Sequence, residues 1–267
     1  MTIGFIGCGN MGGAILKGIL KSGKVSNKEI LVSASNQERT TKRAEEYGVQ
    51  PSSNNEIANT CDIVFLAVKP YYTEAVLTEV KDDWRKSGQI VVSVVTGWNL
   101  KRLYTLIPEE VTVVNTMPNT PCNVGAGVFA INAEAEMTES ERETVVSLIE
   151  GLGEVVYIHE NQIEALSGVC GCGPAYYYMM IEAMADGGVA MGLPRNLALQ
   201  LAAQAAVGAG KMVLETQQHP GALKDAVCSP KGSTILGVHE LEKGAFRGTV
   251  MNAVITATKK MLDMANE

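Results

Sequence analysis

Thr2-Ile3-Gly4-Phe5-Ile6-Gly7-Cys8-Gly9-Asn10-Met11-Gly12 is the stretch on which the fold is read. A short apolar run, Thr2 to Ile6, meets a G-x-G-x-x-G turn, and a helix-forming run from Gly13 to Leu20 follows. Each glycine in such a turn has its own task. Gly7 permits the tight bend, Gly9 lets the backbone approach a pyrophosphate, and Gly12 lets the helix pack close to the strand. Unpaired N–H groups and the positive dipole end at the helix start then attract phosphate. A glycine pattern alone is a weak signal. One that follows a strand, opens a helix and begins at residue 7 predicts a dinucleotide site built on Gly7, Gly9 and Gly12.

Outward from this turn, strand and helix alternate. Ile30-Leu31-Val32-Ser33, Asp62 to Val68, Gln89 to Val95 and Val111 to Asn115 are nearly continuous apolar runs, as in a parallel sheet covered on both faces. Val128 to Ile131 and Val155 to Ile158 read as the last strands. They flank a helix that starts at Thr138, with Glu141 placed to complete a capping box. The prediction is an α/β domain, a doubly wound Rossmann sheet, over residues 1–160. Past Glu160 the strand signals stop. Pro174 to Met191 is apolar on almost every face, and Asn196 to Leu214 is dense in Ala and Gly. A helix apolar all round must be covered on all sides. Residues 161–267 are therefore expected to form an all-α domain that buries its surface in an oligomer. Packing against the α/β domain alone is the other option.

The bulk properties bound the function. Of 267 residues, 46% are hydrophobic and 19% charged, which is a folded and not a disordered composition. A net charge of −7 with no Lys/Arg block argues against a nucleic-acid or anionic-membrane partner. A small anionic ligand still fits, because a local cluster of N–H groups outweighs global charge. The start has no basic leader-like region, and no stretch reaches membrane-spanning length without polar interruption, so a cytoplasmic location is expected. The cysteines at 8, 61, 122, 170, 172 and 228 read as reduced thiols. Cys170-x-Cys172 lacks a second ligand pair and the three histidines are scattered, so no metal site is expected.

The second strand ends in Ser33-Ala34-Ser35-Asn36, with no Asp or Glu to take the ribose hydroxyls of NAD. Ser35 and Asn36 are neutral donors suited to a 2′-phosphate, and Arg39, Lys42 or Arg43 can add charge, unless they form only a solvated helix face. The pattern favours NADP(H), with NAD(H) as the alternative. Val68-Lys69-Pro70, Thr96-Gly97 and Asn119-Thr120-Pro121 end further strands at the edge where such sheets bind ligands.

The later motifs are more specific. They are Gly171-Cys172-Gly173-Pro174-Ala175-Tyr176, Ala185-Asp186-Gly187-Gly188 and the run His219-Pro220-Gly221 to Ser229-Pro230-Lys231-Gly232-Ser233-Thr234. With these in view the chain closely resembles pyrroline-5-carboxylate reductase, from Gly4 to about Ala257. The resemblance implies a Rossmann domain joined to a helical dimerisation domain, with dimers at least and often decamers of five dimers. It implies reduction of L-1-pyrroline-5-carboxylate to L-proline by NAD(P)H, the last step of proline biosynthesis. It also assigns residues. Asn10 and Met11 are implied to join the glycine turn as pyrophosphate contacts, Asn54 is implied as a contact near the adenosine, and Ala67, Val68, Lys69 and Pro70 as the turn along the nicotinamide. Ser229, Gly232, Ser233 and Thr234 are implied to hold the substrate carboxylate, across the dimer interface. Cys172, Lys231 and Ala226 depart from the residues common in the family, Ser, Gly and, in some members, Asn.

The substrate so implied is a cyclic imine carrying a carboxylate. Protonated, its C=N carbon is already a strong electrophile, so placement against the hydride donor is the main catalytic task. Thr234 is the catalytic candidate: its hydroxyl is suited to the ring nitrogen, and its alternative role is a helix N-cap. No general acid is assigned. Two other readings are weighed. A hydroxyacid-dehydrogenase type requires a catalytic Lys where this chain has Gly173-Pro174-Ala175-Tyr176-Tyr177. A non-catalytic NADP-binding regulator binds the cofactor without turnover.

Overall fold

The computed structural model describes residues 1–85 and 88–266. Packing divides them into two units: Met1–Gly171 with the terminal segment from Lys259, and Cys172–Thr258. The sequence pattern changes near Glu160. The chain from there to Gly171 forms short turns, among them the helix Ile163–Leu166 and a π-helical turn Ser167–Gly171, and packs with the first unit.

The first unit is built on eight strands: β1 (Ile3–Ile6), β2 (Ile30–Ser33), β3 (Gln50–Pro51), β4 (Ile63–Leu66), β5 (Ile90–Ser93), β6 (Thr112–Pro118), β7 (Gly127–Asn132) and β8 (Gly153–Ile158). Its helices are α1 (Asn10–Ser22), α2 (Gln37–Tyr47), α3 (Asn54–Thr60), α4 (Pro70–Glu79), α5 (Leu100–Leu103), α6 (Glu139–Ile149) and α7 (Ile163–Leu166). The spatial order is β3-β2-β1-β4-β5-β6-β7-β8. Strand order therefore reverses between β1 and β4, the place where a doubly wound sheet opens a crevice at its carboxyl edge.

Alternation sends successive residues to opposite faces, and both faces are buried. Ile3 and Phe5 of β1 join Ile63 and Phe65 of β4 on the face covered by α1 and α6. Ile6, Val64 and Leu66 join the opposite face, with Leu77 of α4. Phe5 and Phe65 are register partners, and their rings stack at 4.9 Å and 10°. In β1, β4 and β5 every position is buried, which is why these strands are continuously apolar.

One pairing departs from the expected parallel sheet. β6 runs on past Asn115 and pairs antiparallel with β7, Met117 opposite Ala130. The physical reason is the connection. A parallel return needs a crossover of a dozen or more residues, but only a short 3-10 turn, Thr120–Val124, joins these strands. β7 and β8 are parallel again, with α6 as their crossover. The capping box at the start of α6 forms as the sequence indicates: Thr138 accepts from the Glu141 N–H, and the Glu141 carboxylate accepts from the Thr138 N–H.

The second unit is helical: α8 (Gly173–Ala190), α9 (Arg195–Thr216), α10 (Pro220–Ala226), α11 (Ser233–Lys243) and α12 (Phe246–Asn266, its end assigned to the first unit). Small residues let α8 and α9 approach closely, with Ala185, Ala198 and Ala202 buried at the contact. The Tyr176 hydroxyl donates to Ala253 O at 3.3 Å and ties α8 to α12. Much apolar surface stays open in the single chain: Met179 is 70% exposed and Leu214 71%. By length and composition α9 is apolar enough to cross a membrane, although Gln200, Gln204 and Lys211 interrupt it.

Three non-glycine residues, Gln217, Lys231 and Ala245, sit at positive φ. Lys231 sits at φ 61°. The left-handed region costs an L-residue about 1–2 kcal/mol, partly offset by the greater freedom glycine has in the unfolded chain. Lys231→Gly is thus expected to stabilise the protein by roughly 0.5–1 kcal/mol, read as a higher midpoint in thermal or urea unfolding. A lower midpoint would show that Lys231 is not strained.

Candidate functional site

Four strand ends meet at the carboxyl edge of the sheet, and each sequence candidate of the first unit lies there. β1 ends at Ile6, and Gly7 turns the chain at φ 94°. A Cβ on Gly7 would lie 2.8 Å from the backbone of Ala67. The N–H groups of Gly7 and Cys8 both donate to Ser33 O, at 3.2 and 2.8 Å, which fixes the turn against the end of β2. Gly12 lies against the turn, where a Cβ would come within 2.4 Å of Gly7 O and 3.1 Å of the Ala67 side chain.

Gly9 is different. It is exposed, its φ of −84° suits any residue, and a Cβ there would meet nothing within 4 Å. Neither φ nor packing requires glycine at this position. Gly9 is also the N-cap of α1 and offers no side chain to it. The first amide bonded back to the cap is that of Gly13, to Gly9 O at 2.9 Å. The amides of Asn10, Met11 and Gly12 donate to no group among the described residues, as expected for a first helical turn. No acidic residue lies in that turn. Burial pushes the Cys8 thiol up to about 11, despite the opposing field of Arg43, so the turn carries no thiolate charge. The result is a cluster of outward N–H groups at a positive helix end, a cradle that fits a phosphate.

At the end of β2, Asn36 is the N-cap of α2, and its Oδ1 accepts from the Arg39 N–H at 2.9 Å. Arg39 folds back so that Nη1 donates to Ser35 Oγ at 3.2 Å. Arg43 is occupied by Glu46 at 2.6 Å. Of the basic residues considered from sequence, the structure thus brings Arg39 to Ser35 and ties Arg43 elsewhere. Asn54 accepts from Ser33 Oγ at 2.6 Å and donates to Glu79 at 3.2 Å, so both ends of its amide are held by protein. Ala67 N donates to Ile6 O at 2.8 Å, and Lys69 and Pro70 start α4 as exposed residues. Asn119 has a packing role: Oδ1 accepts from Val128 N at 2.8 Å and Nδ2 donates to Cys170 O at 2.9 Å.

In the second unit, Ser229 to Thr234 form the entry to α11. Gly232 N donates to Ser229 O at 3.0 Å. Gly232 is the N-cap, without a side-chain cap, and a Cβ there would meet Ser229 Oγ at 2.4 Å. Thr234 is the second helical residue, which removes the N-cap alternative for it. Its hydroxyl is exposed and bonds no group among the described residues. The amides of Ser233 and Thr234 are likewise unpaired at the helix start. His219 is a cap, its Nδ1 accepting from Gly221 N at 3.0 Å at the start of α10.

Sequence reasoning missed one feature of this edge. Asn115, Asn132 and Glu134 line a cavity together with Thr96 and Gly97. The signal was present as a polar Asn closing the apolar run of β6.

Comparison with known proteins agrees with both halves. Residues 160–264 match the family described as pyrroline-5-carboxylate reductase dimerisation, and residues 2–97 match that of NADP oxidoreductase, coenzyme F420-dependent. The chain is 41% identical to the pyrroline-5-carboxylate reductase of Escherichia coli (strain K12), covering 97% of this chain and 96% of that one. It is 40% identical to that of Arabidopsis thaliana, covering 98% and 95%. The crystal structure of Plasmodium falciparum pyrroline carboxylate reductase with NADP bound superposes with a TM-score of 0.88 at 34% identity, covering 99% and 98% of the two chains.

The two glycines are expected to separate on substitution. Gly12→Ala, which drives a methyl into Gly7 O, should lower the unfolding free energy by about 1–3 kcal/mol. Gly9→Ala, which meets no atom and loses only a glycine N-cap, should cost clearly less. Equal melting of the two variants in differential scanning calorimetry would contradict the geometry.

Proposed function

The chain belongs to the pyrroline-5-carboxylate reductase family, and from that premise we propose which of its residues hold each reactant. The enzyme reduces L-1-pyrroline-5-carboxylate to L-proline by hydride transfer from NADP(H), the closing step of proline biosynthesis. The observation that carries the cofactor assignment is Gly9: a glycine that neither φ nor packing requires, standing over unpaired helix amides. Gly7, Gly9, Asn10, Met11 and Gly12 then take the pyrophosphate. Ser35 and Asn36 take the adenosine ribose and its 2′-phosphate, with Arg39 as the charged partner. Asn54 holds this end of the site from behind, through Ser33. Ala67, Val68, Lys69 and Pro70 flank the nicotinamide, which supplies the hydride when bound. NAD(H) fits the same groove without the Arg39 contact.

The α11 entry takes the substrate. Ser229, Gly232, Ser233 and Thr234 hold its carboxylate at a helix N-terminus, each charge-assisted hydrogen bond contributing about 1.5–3 kcal/mol. Thr234, freed from any capping duty, directs its hydroxyl to the ring nitrogen and orients the imine carbon. Rate enhancement then comes from placement, since the iminium carbon needs no further activation.

Residues 1–160 form the cofactor domain and 161–267 the dimerisation and substrate domain in this reading. The chain is a homo-oligomer through its helical domain, and the exposed apolar side chains of α8 and α9 supply the contact. A decamer of five dimers is part of the proposal. Among the described residues the six cysteines form no disulfide, which suits a reducing, cytoplasmic setting.

NADPH oxidation in the presence of L-1-pyrroline-5-carboxylate tests the whole reading; tight NADPH binding without turnover would favour a regulator. Thr234→Ala is expected to fold, to keep its NADPH affinity and to lose roughly tenfold or more in kcat/KM for the imine. Parent-like kinetics would leave the hydroxyl without a catalytic role. Arg39→Ala is expected to raise the KM for NADPH about tenfold and leave that for NADH nearly unchanged. An equal rise for both cofactors would place Arg39 away from the 2′-phosphate.

A further inference from the structure

The turn that leaves β2, Ala34-Ser35-Asn36, is poorly covered: Ala34 is half-buried, and Ser35 and Asn36 are exposed. Such a turn has conformational freedom to lose when a ligand arrives, unless the fold restrains it first. The restraint comes from Thr40, near the start of α2 and only 3% exposed. A threonine in a helix can donate its hydroxyl proton to the carbonyl four residues back. Thr40 does so: Oγ1 donates to Asn36 O at 3.0 Å, beside the Thr40 N–H, which reaches the same oxygen at 2.9 Å. With its one proton committed there, Oγ1 has only lone pairs left to offer. The Ala34 N–H donates to it at 2.9 Å.

One buried hydroxyl thus holds the chain on both sides of Ser35, at the Ala34 amide and at the Asn36 carbonyl. Each of these bonds polarises the other and strengthens it. The groups restrained in this way are the ones that meet Arg39: Ser35 Oγ accepts from Nη1 at 3.2 Å, and Asn36 Oδ1 accepts from the Arg39 N–H at 2.9 Å. The neighbouring glycine turn is anchored separately, by the Gly7 and Cys8 amides on Ser33 O. Among the described residues Thr40 forms no hydrogen bond to that turn or to the Ala67–Pro70 turn. Its influence is therefore confined to the end of the groove where the two dinucleotides differ.

We propose that Thr40 is a positioning residue that sets the preference for NADPH over NADH, by holding Ser35 and Arg39 ready for the 2′-phosphate. This role rests on the assignment of Ser35, Asn36 and Arg39 to the adenosine end. NADH has no phosphate there and gains less from a turn that is already in place.

The test is steady-state kinetics of the full-length protein with NADPH and with NADH, at saturating imine and well below each variant's unfolding temperature. Thr40→Val keeps the branched shape and removes the hydroxyl, whereas Thr40→Ser keeps the hydroxyl. In Thr40→Val the KM for NADPH is expected to rise about fivefold and that for NADH less than about twofold, with kcat near the parent value for both. Thr40→Ser should bring the NADPH value back to within about twofold of the parent. A merely structural residue would lower the unfolding temperature and leave the ratio of the two KM values where it was. An unmoved ratio in Thr40→Val, or a Thr40→Ser variant that behaves like Thr40→Val, would overturn the proposal. Should Thr40→Val fail to fold, Thr40→Ala takes its place, and failure of both would make Thr40 structural and also overturn the proposal. Arg39→Ala, measured alongside, separates the two levels. If it raises the KM for NADPH alone while Thr40→Val moves nothing, only the role of Thr40 falls. If it raises both equally, the assignment of the adenosine end falls with it.

Discussion

The close approach of two strand-end turns is the constraint on which the first unit depends. The turn after β1 and the turn after β4 touch through Gly7, Gly12 and Ala67, with no room for a side chain on either glycine. That contact sets where α1 starts and how it leaves the sheet. The helix start in turn decides which amides face outward. A methyl group at Gly7 or Gly12 therefore acts on the architecture, whereas one at Gly9 meets open space. Two kinds of glycine, one packed and one open, stand two or three residues apart in the same motif.

The second unit rests on a different balance. Small residues bring α8 and α9 together, but the buried contact is narrow, essentially Ala185, Ala198 and Ala202. Exposed Tyr177, Met179, Leu201 and Leu214 leave more apolar surface than a stable single chain carries. The same composition that makes α9 long and apolar enough for a membrane equally makes it an interface helix. α9 lies within the region that matches the dimerisation family.

Much of this was legible because the relevant forces are local. Apolar runs such as Ile63–Leu66 declare buried parallel strands, and the capping pair Thr138 and Glu141 declares a helix start. Other features were not legible because they depend on distant partners. The antiparallel turn of β6 into β7 follows from the shortness of the Thr120–Val124 connection, which the apolar pattern does not register. The two-residue strand β3 pairs only because β2 presents an edge to it. Arg39 and Arg43 look alike in sequence. Only the fold shows one guanidinium at Ser35 and the other held by Glu46.

The sequence by itself determined the Rossmann pattern, the glycine turn, the helical second half and the motifs of a pyrroline-5-carboxylate reductase, since strand periodicity and turn chemistry are written in neighbouring residues. Tertiary structure decided the rest. It made Gly232 and not Thr234 the cap of α11, which leaves the threonine hydroxyl free. It put Lys231 at positive φ, a conformation fixed by the loop and costly for its own side chain. It also brought Asn115, Asn132 and Glu134 to one cavity from separate elements. Such groups meet only when the sheet is assembled, because convergence depends on strand order and register, which no single stretch of chain contains.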